Sequence, residues 1–181
     1  MSINNVPAGD HLPDTFNTII EISAGGGAIK YEVDKETGLL SVDRFMSVAM
    51  HYPCNYGYVP NTLAEDGDPV DVLVMTPYPV QPGVLMTVRP LGVLLMSDEA
   101  GPDSKLLAVP TEKACAEYAN FKTLSDIHPL MLDKITHFFE HYKALESGKW
   151  VKVEGWAGLD QAKAQLTEAV TRYTHDCDTV E

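Results

Sequence analysis

The feature that most constrains the fold is a change of hydrophobic period two thirds of the way along the chain. Up to about Val109, apolar residues come in short runs that are β-branched or alternate with polar residues, broken repeatedly by Gly and Pro. These runs predict strands at 16–22, 29–33, 40–44, 70–75, 84–96 and 105–109. Pro90 and Gly92 are expected to bend or bulge the long central strand. From Pro129 the apolar residues Leu130, Ile135, Phe138, Phe139, Tyr142 and Leu145 recur at mostly helical spacing, and Gly148 reads as a stop. A second helix is predicted at 160–173 and a short one near 112–119. Many short strands followed by helices predict an α+β fold, a small closed or nearly closed β-barrel with C-terminal helices on its flank. No repeat or linker interrupts the 181 residues, and residues 1–181 read as one domain.

Composition narrows the function. The formal net charge is −13, with 13 basic residues in all. A chain so acidic repels nucleic acid and anionic lipid unless it carries a local basic patch. Its longest apolar run, near Leu91–Met96, is far short of the ~20 residues of a membrane helix. The Met1–Pro7 stretch lacks the basic and apolar regions of a secretory signal. Cys54, Cys115 and Cys177 are too widely spaced for a zinc knuckle and odd in number, as expected of reduced thiols in a cytoplasmic protein.

The carboxylates that matter are those that cluster. Asp66, Asp68 and Asp71 fall within six residues. Pro69 keeps Asp68 out of helical geometry, so the cluster belongs to a loop running into the strand near Val70. Asp98, Glu99 and Asp103 form a second cluster around a Gly101-Pro102 loop, with Lys105 beside it, and Glu21 and Glu32 lie on early strands. Each cluster alone is compatible with an acidic turn. An EF-hand fails by count, since position six from Asp66 is Asp71 and position twelve is Pro77. The clusters do suit Mg²⁺ held by a few carboxylates, with water and phosphate oxygens completing the octahedron. Cationic and phenolic groups stand near them: Lys30 sharing a strand face with Glu32, Arg44, Lys105, Lys143, and Tyr52, Tyr56 and Tyr58. Arg grips phosphate with a fork and Lys supplies a point charge.

Taken together, Asp66-Gly67-Asp68-Pro69-Val70-Asp71, Val6-Pro7-Ala8-Gly9, Ile29-Lys30-Tyr31-Glu32, Val42-Asp43-Arg44, Tyr52-Pro53-Cys54-Asn55-Tyr56-Gly57, Asp98-Glu99-Ala100-Gly101 and His137-Phe138-Phe139-Glu140-His141-Tyr142-Lys143 resemble, in order, segments of the family I soluble inorganic pyrophosphatases of bacterial type. The resemblance implies an OB-like five-stranded barrel with flanking helices, a homohexamer, and hydrolysis of pyrophosphate to two phosphates with several Mg²⁺ per site. It implies metal binding by Asp66, Asp71, Asp98 and Asp103, with Asp68 as general base. It gives Lys30, Arg44, Tyr56, Tyr142 and Lys143 to the phosphates, and Glu21, Glu32, Tyr52, Glu99 and Lys105 to support. The chain departs from the family pattern at Gly25-Gly26-Gly27, at His51 and in a longer acidic tail from His175. Cations at the acidic clusters would also explain how so acidic a protein binds a polyanion.

Two other readings compete. His137-Phe138-Phe139-Glu140-His141 matches the H-x-x-E-H string of a zinc-peptidase family, with two His on one helix face. The plainer alternative places Phe138 and Phe139 in the core and His137 and His141 in a subunit contact. A non-enzymatic barrel that binds nucleic acid is the second rival, and the charge of −13 weighs against it.

Overall fold

The computed structural model describes residues 6–179, and side chains up to Asp176. Met1–Asn5 and the side chains of Cys177 and Asp178 lie outside the described residues, so the expectations for the N-terminus, the Cys177 thiol and the acidic tail are not addressed by it.

Among the described residues nine strands and two α-helices follow one another as β1 (Phe16–Ile22), β2 (Ile29–Val33), β3 (Leu40–Phe45), β4 (Asn55–Tyr58), β5 (Asp71–Val74), β6 (Leu85–Asp98), β7 (Gly101–Pro102), β8 (Lys105–Pro110), α1 (Pro129–His141), β9 (Val151–Ala157) and α2 (Leu159–Thr179). Strand β1 pairs with β4, β4 with β5, β5 with β8, β8 with β6, and β6 with β1, which makes a ring of five strands. Only β5–β8 is parallel. Strands β7 and β9 add to β6, while β2 and β3 form a separate hairpin. The α+β expectation is met in that form. Among the described residues no helix is long and apolar enough to cross a membrane.

Alternation along the ring strands builds two cores. Val72 and Val74 of β5, with Leu106 and Ala108 of β8, pack with Ala162, Leu166 and Ala169 of α2. Leu73, Leu107 and Val109 point to the other face and pack with Ile135, Phe138 and Phe139 of α1. Strands buried on both faces read as continuous apolar runs, which is why β5 and β8 are so evenly hydrophobic. The predicted irregularity in β6 is present. Its register against β8 slips between Pro90 and Gly92, and the side-chain faces exchange there: Leu91 and Val93 would share a face in a regular strand but join opposite cores.

Gly57 lets β1 and β4 approach closely. A Cβ built there would stand 1.9 Å from the Ile19 carbonyl oxygen. Helix α1 begins where Pro129 predicts, with the His128 side chain accepting from the Leu130 N–H. It ends at His141, not 147 as the spacing predicted. Residues 142–148 are turns closed by Gly148 in a positive-φ conformation, and Leu145 is exposed. The short helix expected near 112–119 is reduced to a 3₁₀ turn at Ala116–Tyr118.

Candidate active site

The pairing registers bring the two acidic clusters together. Asp71, first residue of β5, lies opposite Tyr58 of β4 on one side and Lys105 of β8 on the other. Asp98 ends β6, and Asp103 follows β7 with its N–H donating to the Met96 carbonyl at 2.9 Å. Tyr142 and Lys143 sit just beyond the last turn of α1, and the hairpin β2–β3 carries Lys30 opposite Arg44. Every residue assigned to the site by resemblance lines one cleft of about 540 Å³, except Glu99. Glu99 stands behind the wall, 3.6 Å from Lys143 and 2.5 Å from Lys149.

Within the cleft, cations and carboxylates are already matched in part. The buried Lys105 ammonium touches both Asp71 and Asp103. Burial alone would lower its pKa, but the two carboxylates outweigh that and hold it well above its ordinary value. Lys143 donates to Asp98 at 2.6 Å. Burial acts to raise the Asp98 pKa, and the bonds from Lys143 and the Ala100 N–H overcome it, so the acid is held below its usual value. Lys30 touches Glu32 and lies 3.4 Å from Asp43, which also accepts from Arg44 at 2.8 Å. The Glu21 carboxylate accepts the Val33 N–H at 2.7 Å, yet burial pushes it up to about 8. Burial likewise raises the Tyr52 and Tyr56 phenols, keeping both protonated as donors.

The 62–70 loop is different. Asp66 accepts the Asp68 N–H at 3.0 Å, an Asx turn that fixes the local backbone. Burial and then the neighbouring Asp71 and Asp68 charges raise Asp66, against the bond from the Asp68 N–H. Asp68 itself is 72% exposed and pairs with Lys35 at 2.9 Å.

This donor set fits a hard divalent cation. Asp66, Asp71, Asp98 and Asp103 offer only carboxylate oxygens to one cavity. Burial raises Asp66 and Asp103, and carboxylate neighbours raise them further, so added positive charge would relieve them. Among the described residues no three His, Cys, Asp or Glu side chains converge closely enough to form a metal site by themselves. His137 and His141 lie side by side on α1, ring centroids 4.3 Å apart, but His141 Nδ1 engages the His137 carbonyl and neither lines the cleft.

Comparison with known proteins places the chain in a family. The family model described as inorganic pyrophosphatase matches residues 18–174. Inorganic pyrophosphatases of Yersinia pestis and Escherichia coli K12 are 59% and 58% identical over 172 residues, covering 95% of this chain and 98% of theirs. A solved inorganic pyrophosphatase of Coxiella burnetii superimposes with a TM-score of 0.90 at 60% identity, covering 93% of this chain and 99% of its own. The chain belongs to the family I inorganic pyrophosphatases of bacterial type.

Membership in this hydrolase family leaves the zinc-peptidase and nucleic-acid readings without support. The pyrophosphatase cleft also contains residues that sequence reasoning did not assign: Lys35, Asn61, Thr62 and Tyr173. Lys35 sits in an ordinary Asp-Lys-Glu-Thr-Gly turn, and Tyr173 occupies one position of a long helix, so neither carries a local signal. Asn61 adopts φ 54°, a left-handed conformation uncommon outside glycine but most accessible to Asn. Its place between Pro60 and Thr62, ahead of the acidic motif, is a signal of a turn that the sequence offered.

Proposed function

We propose that the chain hydrolyses inorganic pyrophosphate to two phosphates, using Mg²⁺ at the acidic cleft and Asp68 as general base. The observation that carries the reading is the convergence of both acidic clusters and the cations Lys30, Arg44, Lys105 and Lys143 on one cleft. Asp66, Asp71, Asp98 and Asp103 would hold the metal. Bound there, Mg²⁺ supplies charge neutralisation for the anhydride and lowers the pKa of water.

The chain's own groups do the rest. Lys30, Arg44 and Lys143 receive the phosphate oxygens as cations, and the Tyr56 and Tyr142 hydroxyls donate to them. Lys105 keeps Asp71 and Asp103 from repelling each other in the low-dielectric wall. Tyr52, wedged between Tyr56 and Phe138, fixes the floor, and Glu21, Glu32 and Glu99 orient the lysine-bearing wall. Asp68 stands on an exposed loop where it can take a proton from attacking water.

The reading extends to a single domain whose five-stranded ring is an OB-like barrel, to a cytoplasmic enzyme, and to self-association as a homohexamer without nucleic-acid or membrane partners. The net charge of −13 supports the exclusion of nucleic acid. Exposed Leu40 and Val42 on β3 and Leu130 on α1 support self-association. Purified protein with saturating Mg²⁺ is expected to release phosphate from pyrophosphate; folded protein without turnover overturns the reading. Sedimentation of the wild type against the His137→Ala/His141→Ala variant tests the subunit contact, and unchanged assembly would remove α1 from it.

A further inference from the structure

Two hydrogen bonds meeting at Leu63 tie the acidic loop to a helix remote in sequence. The Leu63 N–H donates to the Ala169 carbonyl at 3.0 Å, and the Leu63 carbonyl accepts from Arg172 Nε at 2.9 Å, 109 positions away. Both partners belong to α2, and Ala169 is a buried member of the face that packs on the ring. Ala169 thus ties the anchor to the core, while the Arg172 side chain reaches Leu63 from the partly exposed side of the helix.

The loop transmits that anchor to the acids. Val59 N–H donates to the Val70 carbonyl at 2.9 Å, closing the loop at its base. The Thr62 hydroxyl donates to the Val59 carbonyl at 2.6 Å and accepts the Val70 N–H at 2.9 Å, bridging it from within. The Ala64 N–H donates to the Asp68 carbonyl at 2.7 Å, and the Asp66 carboxylate accepts the Asp68 N–H. Residues 59–70 are thus braced internally; Val59 and Val70 are buried in the core at the base of the loop, Lys35 meets Asp68, and the grip on Leu63 adds a polar anchor to α2. Arg172 also lines a crevice of about 90 Å³ behind the site, together with Asp66, Asp71 and Asp103.

We infer that Arg172 is a positioning residue: through Leu63 it sets Asp66 and Asp68 relative to Asp71, and so sets the affinity of the cleft for divalent cation. The inference rests on the proposed pyrophosphatase reading. Arg172 touches neither substrate nor the reacting atoms in this account; it acts on residues that do. A merely structural Arg172 would anchor the end of α2 and change thermal stability alone.

The test compares Arg172→Ala, Arg172→Lys and, as a control on the same helix, Lys163→Ala, which loses the 2.5 Å pair to Asp14, a residue outside the loop. Amide hydrogen exchange on metal-free protein is expected to speed up about tenfold for residues 63–70 in Arg172→Ala, because a charge-assisted bond at the anchor is gone. Mn²⁺ binding, followed by electron paramagnetic resonance, is expected to weaken about tenfold, the scale on which outer supports of metal ligands act. The Mg²⁺ concentration for half-maximal phosphate release should rise in parallel. Arg172→Lys, which keeps a donor for the Leu63 carbonyl, should recover most of both. Unchanged exchange or unchanged Mn²⁺ affinity in Arg172→Ala overturns the inference, as does an equal change in Lys163→Ala. If Arg172→Ala does not fold, Arg172→Met, which keeps an apolar stem but has no donor, replaces it under the same criteria. Failure of the wild type to hydrolyse pyrophosphate would instead strike the functional reading, since exchange and Mn²⁺ binding judge the anchor without turnover.

Discussion

Two lysines hold two aspartates of the same six-residue motif, in opposite surroundings. Lys105 is 3% exposed and sits between Asp71 and Asp103 at the head of paired strands. Lys35 is 68% exposed, lies in the turn of the β2–β3 hairpin and meets Asp68, itself 72% exposed. The first pair is built into the ring, where an unmatched charge would be costly; the second is a solvated contact between two loops. The contrast separates two tasks within one motif. Asp71 belongs to a fixed wall whose charge is set by the fold, whereas Asp68, on a hydrogen-bonded backbone, turns a solvated carboxylate to the open side, where a proton acceptor must meet water.

The sharpest way to break that contrast is to neutralise the exposed acid. Asp68→Asn is expected to lower turnover by ~10²–10⁴-fold, the usual contribution of general base catalysis, while the thermal midpoint stays within a degree or two of about zero change. Steady-state phosphate release and a thermal melt on the same preparation check both halves. Unchanged turnover removes Asp68 as the base, and a large loss of stability would show that the open side is structural after all.

Next in size is the buried partner. Lys105→Met leaves Asp71 and Asp103 facing each other without a cation and is expected to cost about 3–5 kcal/mol of stability. Chemical denaturation measures it. The loss should shrink at acid pH as the orphaned carboxylates take up protons. A variant as stable as the wild type at neutral pH would mean that Lys105 does not neutralise the wall.

The sequence made this contrast only half visible. Ring strands β1, β5 and β8 were legible within a residue or so, β5 and β8 because residues buried on both faces form apolar runs and β1 because it is rich in β-branched residues. β4 was not, because Asn55-Tyr56-Gly57-Tyr58 offers four residues, one of them a glycine whose role is close approach to Ile19. β9 escaped because Gly155, at φ 127°, interrupts its alternation. The acidic clusters could be seen as loops from their residues, but only the family resemblance, not any local pattern, implied that they share a site. That follows from the parallel register of Asp71 with Lys105 and from the turn that returns Asp103 beside Asp98, both long-range consequences of strand order. Lys35 was invisible for the same reason: only the folded hairpin brings it to Asp68.

The buried side should also show itself in pH dependence. With the Glu21 carboxyl raised from 4.5 to about 8 by burial, the folded metal-free protein binds a proton that the unfolded chain has released across that interval. Its contribution to stability is therefore fully present below about 4.5 and declines as pH rises through about 8, by at most ~1.4 kcal/mol per pH unit. Glu21→Gln removes the titrating group, so the stability difference between pH 5 and pH 8 should narrow in the variant. Denaturant midpoints at the two pH values decide it. A wild-type profile as flat as that of Glu21→Gln would place Glu21 in a more solvated setting than its 6% exposure implies.

The smallest effect belongs to Lys35. An exposed ion pair at 2.9 Å contributes ~0.2–1 kcal/mol, so Lys35→Ala should move the denaturation midpoint little, in contrast to Lys105→Met. Its influence is electrostatic, since Lys35 also lines the cleft that a polyanion must enter. Losing one cation there in a high-dielectric setting is worth ~1 kcal/mol, about fivefold in kcat/KM at low ionic strength. Salt screens such exposed charges over about 10 Å at 0.1 M, so the difference from wild type should fade as salt is added. A deficit that persists at high salt, or a loss of stability matching that of Lys105→Met, would mean that the hairpin closes on Asp68 as a fixed part of the site, and the division between a rigid wall and an open side would have to be redrawn at the β2–β3 turn.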